Sequence, residues 1–334
     1  MTIARRGHTQ RIPALDFTKG ALVLLMVLYH WLNYFMGAQY DIYRYLRFLT
    51  PSFIFITGFL ISNVYLAKYD LAGSRLPKRL VLRGLKVLGI FILLNVTRNA
   101  LTTAEPLVAR NLAATFLSGQ VSTTDTGKAA SFFVLVPISY LLLVSASFLI
   151  LSRTCKYVFH IASGVFLMSI LVLYLLGLES PNLELLTVGV MGVIVGYIPI
   201  DRIDRWVTRP ARLVLAYLGY LAAITVWNVR YPLQIVGVCL SVMVIYLLGT
   251  EGIMPNRLRG HVILVGKYSL FAYISQIVVL QLLRRSLREV DLDPGVLAAT
   301  LVAALCVTVI TVEALDRARI RASTVNRIYG AVFS

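Results

Sequence analysis

The chain has 334 residues, of which 58% are hydrophobic and only 14% charged; soluble proteins carry about 25% charged residues, so a water-soluble globule is excluded. The formal net charge of +17 would point to nucleic acid in a soluble protein, but the basic residues fall between long apolar runs, which is a pattern of membrane topology. Cys155, Cys239 and Cys306 lie far apart, with no CxxC and no histidine at zinc-ligand spacing, which argues against a disulfide framework or a structural metal.

A helix needs about 20 apolar residues to cross roughly 30 Å of hydrocarbon. Ten segments qualify: 20–36, 48–67, 80–97, 130–151, 158–178, 184–200, 211–229, 233–249, 262–283 and 295–315. Residues 1–19 form a basic tail ahead of the first. A basic tail before an apolar run also opens a signal peptide, but no clear small-residue cleavage site follows and the run contains a histidine, so the first helix is read as retained. Lys19 and His30 are eleven positions apart, close to three helical turns, which puts both on one face and about 16 Å apart in depth. With Lys19 at the interface, His30 falls near the bilayer midplane. An ionisable group at that depth is costly unless it faces protein or water, which makes it a functional-site candidate; the alternative is a core histidine bonded to a neighbouring helix, with Lys19 snorkelling to the surface.

Further along, the connection 68–86 is strongly basic. The connection 98–129 is long; Thr103 as a cap and Pro106 in a first turn predict a helix with Leu107, Val108, Leu112 and Phe116 as an apolar stripe on the outer face. Asn95 and Arg98, at the outer end of the third span, either face an acceptor sugar or simply end the span. Gly192 and Gly196 make a GxxxG in the sixth span, expected to serve close helix packing. Asp201 and Asp204, flanked by Arg202 and Arg205, read as a solvated loop. There is no P-loop, no GxGxxG after a strand and no GxSxG elbow.

With the N-terminus inside, 23 of the 32 Lys and Arg fall on the inner side and 9 on the outer, while the acids divide 7 and 8, giving +16 inside and +1 outside. This asymmetry predicts an all-α polytopic integral membrane protein of about ten transmembrane helices, with both termini cytoplasmic. The expected organisation is a tail over 1–19, a membrane domain over 20–316 and a C-terminal tail over 317–334.

The string Arg11, Leu15, Asp16, Lys19, Gly20, with ten residues between Lys19 and His30, resembles the opening of the transmembrane acyltransferase superfamily. That superfamily includes the acyltransferase-3 family, the OpgC-like glucan-modifying proteins and the heparan glucosaminide acetyltransferases. Lys19 stands where Arg is more usual, keeping the charge but not the planar fork. The segment PSFIFITGFL from Pro51 to Leu60 is similar to the family's FFxxSGFLI signature, with Thr57 for Ser. LPKRLVLRGLK, 76–86, looks like its RRxxR stretch. VGKYSLFAYISQ, Val265 to Gln276, resembles its GxxSYxxYLxH segment, with Gln276 where many members have His.

The resemblance implies acyl transfer, acetyl or succinyl, from cytoplasmic acyl-CoA to a hydroxyl or amine of an envelope glycan, lipid-linked sugar or polar lipid. It implies a multi-pass protein of a bacterial cytoplasmic (inner) membrane, with acyl-CoA as co-substrate and no permanently bound cofactor or metal. His30 would act as general base or as acyl carrier; imidazole chemistry permits both. Lys19 and Asp16 would complete the catalytic group, with Asp16 orienting the cation of Lys19 or Arg11. Lys78, Arg79, Arg83 and Lys86 form a basic band that suits CoA phosphates, as does Arg11, although each also fits a positive-inside anchor. Tyr268, Ser269, Tyr273 and Gln276 are the implied substrate contacts, with interface anchoring and helix packing as their alternatives. Expected partners are acyl-CoA, the glycan or lipid acceptor, membrane lipids and a separate extracytoplasmic protein; a homo-oligomer is compatible and nucleic acid is not expected. The competing reading is a secondary transporter or lipid-linked-sugar flippase using the His30/Lys19 pair, but no inverted repeat supports it.

Overall fold

The structure, a computed structural model, describes residues 12–37, 40–66, 75–102, 115–117, 119, 123–124, 127–128, 132–155, 157–207, 210–227, 234–250, 254–287 and 293–333. Arg11, Thr103, Pro106, Leu107, Val108 and Leu112 lie outside the described residues, as does the side chain of Arg98. Helices dominate. The early ones are α1 (Pro13–Trp31), α2 (Tyr40–Leu46), α3 (Leu49–Leu60), α4 (Arg75–Thr102), α5 (Leu135–Leu151), α6 (Val158–Leu175) and α7 (Pro181–Val195). The later ones are α8 (Ile200–Val207), α9 (Pro210–Val226), α10 (Gln234–Gly249), α11 (Asn256–Lys267), α12 (Ser269–Ser286), α13 (Pro294–Arg321) and α14 (Ser323–Phe333). The strands described are a two-residue antiparallel pair, Thr123–Thr124 with Gly127–Lys128.

Local sequence explains the helix ends. Pro13, Pro181 and Pro294 each open a helix, where the fixed φ is already helical and the missing N–H is not needed. Asp293 caps α13 by accepting from the Val296 N–H at 2.7 Å. Gly177, at φ +68, closes α6 in a Schellman motif: its N–H donates to the Tyr174 carbonyl and that of Leu178 to the Leu173 carbonyl. Both α1 and α3 run on into π-helical turns, Leu32–Met36 and Ile61–Tyr65.

Among the described residues, five helical runs are long and apolar enough to cross a membrane: Pro13–Met36, Ile42–Tyr65, Arg75–Thr97, Val158–Leu175 and Pro294–Arg321. Two bent pairs raise the number to seven if each counts as one span: α7 with α8, at 97°, and α11 with α12, at 94°. The apolar helices α5, α9 and α10 are shorter, at 17, 17 and 16 residues; such a helix extends about 24–26 Å, short of the ~30 Å core. The ten apolar segments of the sequence thus correspond to five to seven candidate spans and three short helices. The continuous span expected over 262–283 is instead broken at Tyr268, which has non-helical φ −111 and ψ 28.

The chain divides into two compact units, one built on Ile54–Asp204 and the other on Gln10–Phe53 with Arg205–Ser334. In the first, the middle unit, α4 packs on α5 and α7 packs on α5 and α6. The α3 run meets α7 backbone to backbone. A Cβ on Gly192 would lie 2.2 Å from the Phe55 carbonyl oxygen, and one on Gly196 would lie 2.0 Å from the Ser62 hydroxyl. The GxxxG therefore serves close packing, as its composition suggests. Asn63 donates to the carbonyls of Gly196 and Ile198, at 3.1 and 3.0 Å, satisfying backbone acceptors where α7 gives way to the bend.

In the second, the terminal unit, α1 is the central helix, packed on α10, α11, α12 and α13. Its crossing with α11 is set by glycine on both sides. A Cβ on Gly20 would fall 1.9 Å from the Val262 carbonyl oxygen, and one on Gly266 would fall 1.7 Å from that of Asp16. Only hydrogen at those positions lets the two backbones touch. Many side chains of α6 face outward as exposed aliphatics, including Ile161, Val165, Met168 and Leu175, as a lipid-facing helix requires.

Candidate active site

His30 stands in the last turn of α1, immediately before the π-helical turn. The helical run Pro13–Met36 is 24 residues long, so His30 lies about 8 Å beyond its midpoint rather than at it. The sequence estimate anchored depth on Lys19, whereas the run begins six residues earlier, at Pro13, and ends six residues after His30.

Around the imidazole the terminal unit builds an aromatic wall. The Tyr273 ring on α12 is 6.3 Å from it, centroid to centroid and tilted by 51°; the neighbouring Tyr29 ring is 5.3 Å away and edge-on. Behind these, Phe53 lies 6.4 Å from Tyr273, and Tyr43 meets Tyr29 edge-on at 5.1 Å. Two apolar clusters flank the wall. One joins Val23, Val265, Tyr268, Ala272 and Val312; the other joins Val27, Trp31, Leu32, Leu280 and Ala304. The Trp31 indole donates to the Thr300 hydroxyl at 2.9 Å, fixing α1 against α13 one residue past His30.

Gln276 is one turn beyond Tyr273 on α12 and is 0% exposed, and among the described residues neither its amide nitrogen nor its amide oxygen has a hydrogen-bond partner. The Tyr43 hydroxyl is likewise enclosed without one. Beyond His30, Gln281 donates to the Tyr34 hydroxyl at 3.2 Å, and the Arg284 guanidinium lies 5.7 Å from the Tyr34 ring centroid.

Lys19 and His30 do not meet. The Lys19 ammonium pairs with Asp16 at 2.5 Å, with side chains 20% and 13% exposed, at the Gly20/Gly266 crossing. Tyr268, 2% exposed, donates to Asp316, which also accepts from Lys267 at 2.9 Å. This binds the break between α11 and α12 to α13. Ser269, half-buried, opens α12.

The basic band belongs to the middle unit. Lys78 and Arg79 are exposed on α4, and Arg83, half-buried, donates to the Tyr65 hydroxyl with its guanidinium 6.0 Å from that ring's centroid. Arg75 starts α4 one turn before Arg79 and extends the band. Sequence reasoning placed it in a loop, although its i, i+4 spacing to Arg79 and Arg83 was visible. Tyr43 was missed because residues between the first two apolar segments carry no span signal; only its packing on Tyr29 brings it to the site.

In comparison with family models, residues 11–109, under a third of the chain, match heparan-alpha-glucosaminide N-acetyltransferase, catalytic. Comparison with curated proteins and with solved structures returns no match. The matched stretch contains Asp16, Lys19, His30, Lys78, Arg79 and Arg83, and its agreement with an all-helical polytopic fold supports a membrane acetyltransferase of the general kind. Over that stretch the chain is similar to the catalytic domain of the heparan-alpha-glucosaminide N-acetyltransferases, in line with the resemblance read from Arg11 to His30.

Proposed function

We propose that this protein is an integral-membrane O- or N-acyltransferase. It takes an acyl group, acetyl or succinyl, from cytoplasmic acyl-CoA and delivers it to a hydroxyl or amine of an envelope glycan, lipid-linked sugar or polar lipid. The observation that carries the reading is His30, an ionisable ring set against Tyr29 and Tyr273 within the stretch that matches an acetyltransferase catalytic family.

His30 serves as general base on the acceptor or as transient acyl carrier. Lys19, oriented by Asp16, keeps a positive charge at the other end of α1. The band Arg75, Lys78, Arg79, Arg83 and Lys86 supplies the donors that a CoA phosphate requires, with Arg11 as a further cation. Tyr273 and Gln276 line the reacting end, and Tyr268 and Ser269 hold the start of α12. Both tails, 1–19 and 317–334, face the cytoplasm of a bacterial inner-membrane protein. Acyl-CoA is consumed as co-substrate, and the acylated product is released outside or passed to a separate extracytoplasmic partner.

The test is substitution of His30. The His30→Ala protein, inserted and purified like wild type, releases no CoA thiol from acetyl-CoA or succinyl-CoA. It also leaves envelope glycans and lipids without the acyl mass seen by mass spectrometry when the wild-type chain is expressed. Wild-type-like transfer by His30→Ala would remove the assignment.

A further inference from the structure

The enclosed amide of Gln276 makes no hydrogen bond to the described residues of the terminal unit. Its neighbours on α12, Ala272, Tyr273, Ile277 and Leu280, are buried and packed, yet its own nitrogen and oxygen are matched by nothing among the described residues. A buried amide in that state carries its full desolvation penalty, and an apolar side chain of the same length would remove it. A polar group held at such a loss is accounted for by a ligand that completes it. Its place identifies the ligand's neighbourhood: one turn from Tyr273, whose ring faces His30 at 6.3 Å, on a helix that packs against α1.

We infer that Gln276 is the acyl-binding donor of the transfer step, its Nε2–H hydrogen-bonding the carbonyl oxygen of the acyl thioester; this rests on the acyltransferase reading and names a residue for it. In the step, the acceptor hydroxyl oxygen bonds to the carbonyl carbon and its proton passes to His30. The carbonyl π electrons move onto the oxygen held by Gln276. Collapse of this intermediate breaks the carbon–sulfur bond, and CoA leaves as the thiol with the proton from His30. An oxyanion takes donors only, so the Nε2–H serves it, and the single hydroxyl proton of the acceptor is left to His30. A neutral amide suits an enclosed site because it adds a directed dipole without the desolvation cost of a buried cation.

Two variants test it in the full-length protein in lipid nanodiscs. Gln276→Met keeps length and removes both polar atoms; Gln276→Glu keeps shape and an acceptor but removes the amide donor. The assay is CoA thiol release from acetyl-CoA and succinyl-CoA with total envelope extract as acceptor. Both variants are expected to lose about 100- to 1,000-fold in kcat, the range for removal of one oxyanion donor, with KM for the CoA ester little changed. The melting temperature of Gln276→Met is expected to equal or exceed that of wild type, because an unmet polar group has gone. Turnover retained in either variant overturns the role. Lost turnover with a lowered melting temperature in both variants also overturns it, marking a structural amide; otherwise the variant that keeps its melting temperature decides. Absence of CoA release by the wild-type protein from either donor overturns the acyltransferase reading and this role with it.

Discussion

At the scale of single residues, the terminal unit depends on positions where one atom decides the packing. Gly266→Ala would put a methyl group 1.7 Å from the Asp16 carbonyl oxygen. Neither backbone can yield without separating α1 from α11. The expected loss is at least the ~1–3 kcal/mol of an overpacked core, read as a lowered melting temperature and a broadened gel-filtration peak in detergent. Thr300→Val removes the acceptor of the Trp31 indole while keeping the side chain's shape. Leaving that buried N–H unmet should cost about 1–3 kcal/mol, measured by thermal unfolding. The sequence named His30, Lys19 and Gln276 and offered the i, i+3 pair of Asp16 with Lys19 that the structure forms, but it did not show that Gln276 is enclosed without a partner among the described residues. Periodicity gives direction around a single helix. It carries no information about what the facing helix presents.

At the scale of elements, the break at Tyr268 has the largest consequence. Hydropathy reads 262–283 as one span, because Gly266 to Ser269 is only a short polar interruption. In the folded chain α11 and α12 turn by 94°, and Asp316 on α13 takes both the Tyr268 hydroxyl and the Lys267 ammonium. That carboxylate pins the corner from which α12 carries Tyr273 and Gln276 towards α1. Asp316→Ala should therefore loosen the corner, with faster amide exchange over 264–272 than in wild type. It should also lower stability by about 1–3 kcal/mol, since the buried Tyr268 phenol and the Lys267 ammonium lose a charged acceptor. The last helix adds to the same corner. Arg319 lies 5.3 Å from the Tyr268 ring and 4.0 Å from the Tyr329 ring on α14, and donates to Asn326 through Nε and Nη2. Arg319→Met should release α14, detected as faster exchange across 323–333 with the α1 amides unchanged. By contrast, Gly192 and Gly196 were legible as packing residues, because small residues four apart on an apolar helix have one common use in membranes.

At the scale of the whole molecule, charge and hydropathy carry the argument. If the ten apolar segments are counted with the N-terminus inside, 23 of the 32 basic residues fall on the inner side and 9 on the outer, and on that count both termini are expected in the cytoplasm. A fluorescent-protein fusion at Ser334 should fluoresce, and a periplasm-dependent phosphatase fused there should be inactive; the reverse pattern would invert the topology and place the donor entrance on the other face. The sequence by itself determined the class, all-helical and polytopic, and the residues that resemble an acyltransferase opening. Those properties are sums over composition or periods within one segment, so no neighbour is needed to read them. Only the tertiary structure decided that α11 and α12 are two helices, that α1 is the central helix of its unit, and that Tyr29, Tyr43, Phe53 and Tyr273 wall the histidine. Each of these depends on contacts between residues as far apart in sequence as 16 and 266, or 30 and 273. Such contacts are set by which backbones can approach, and no local pattern encodes that.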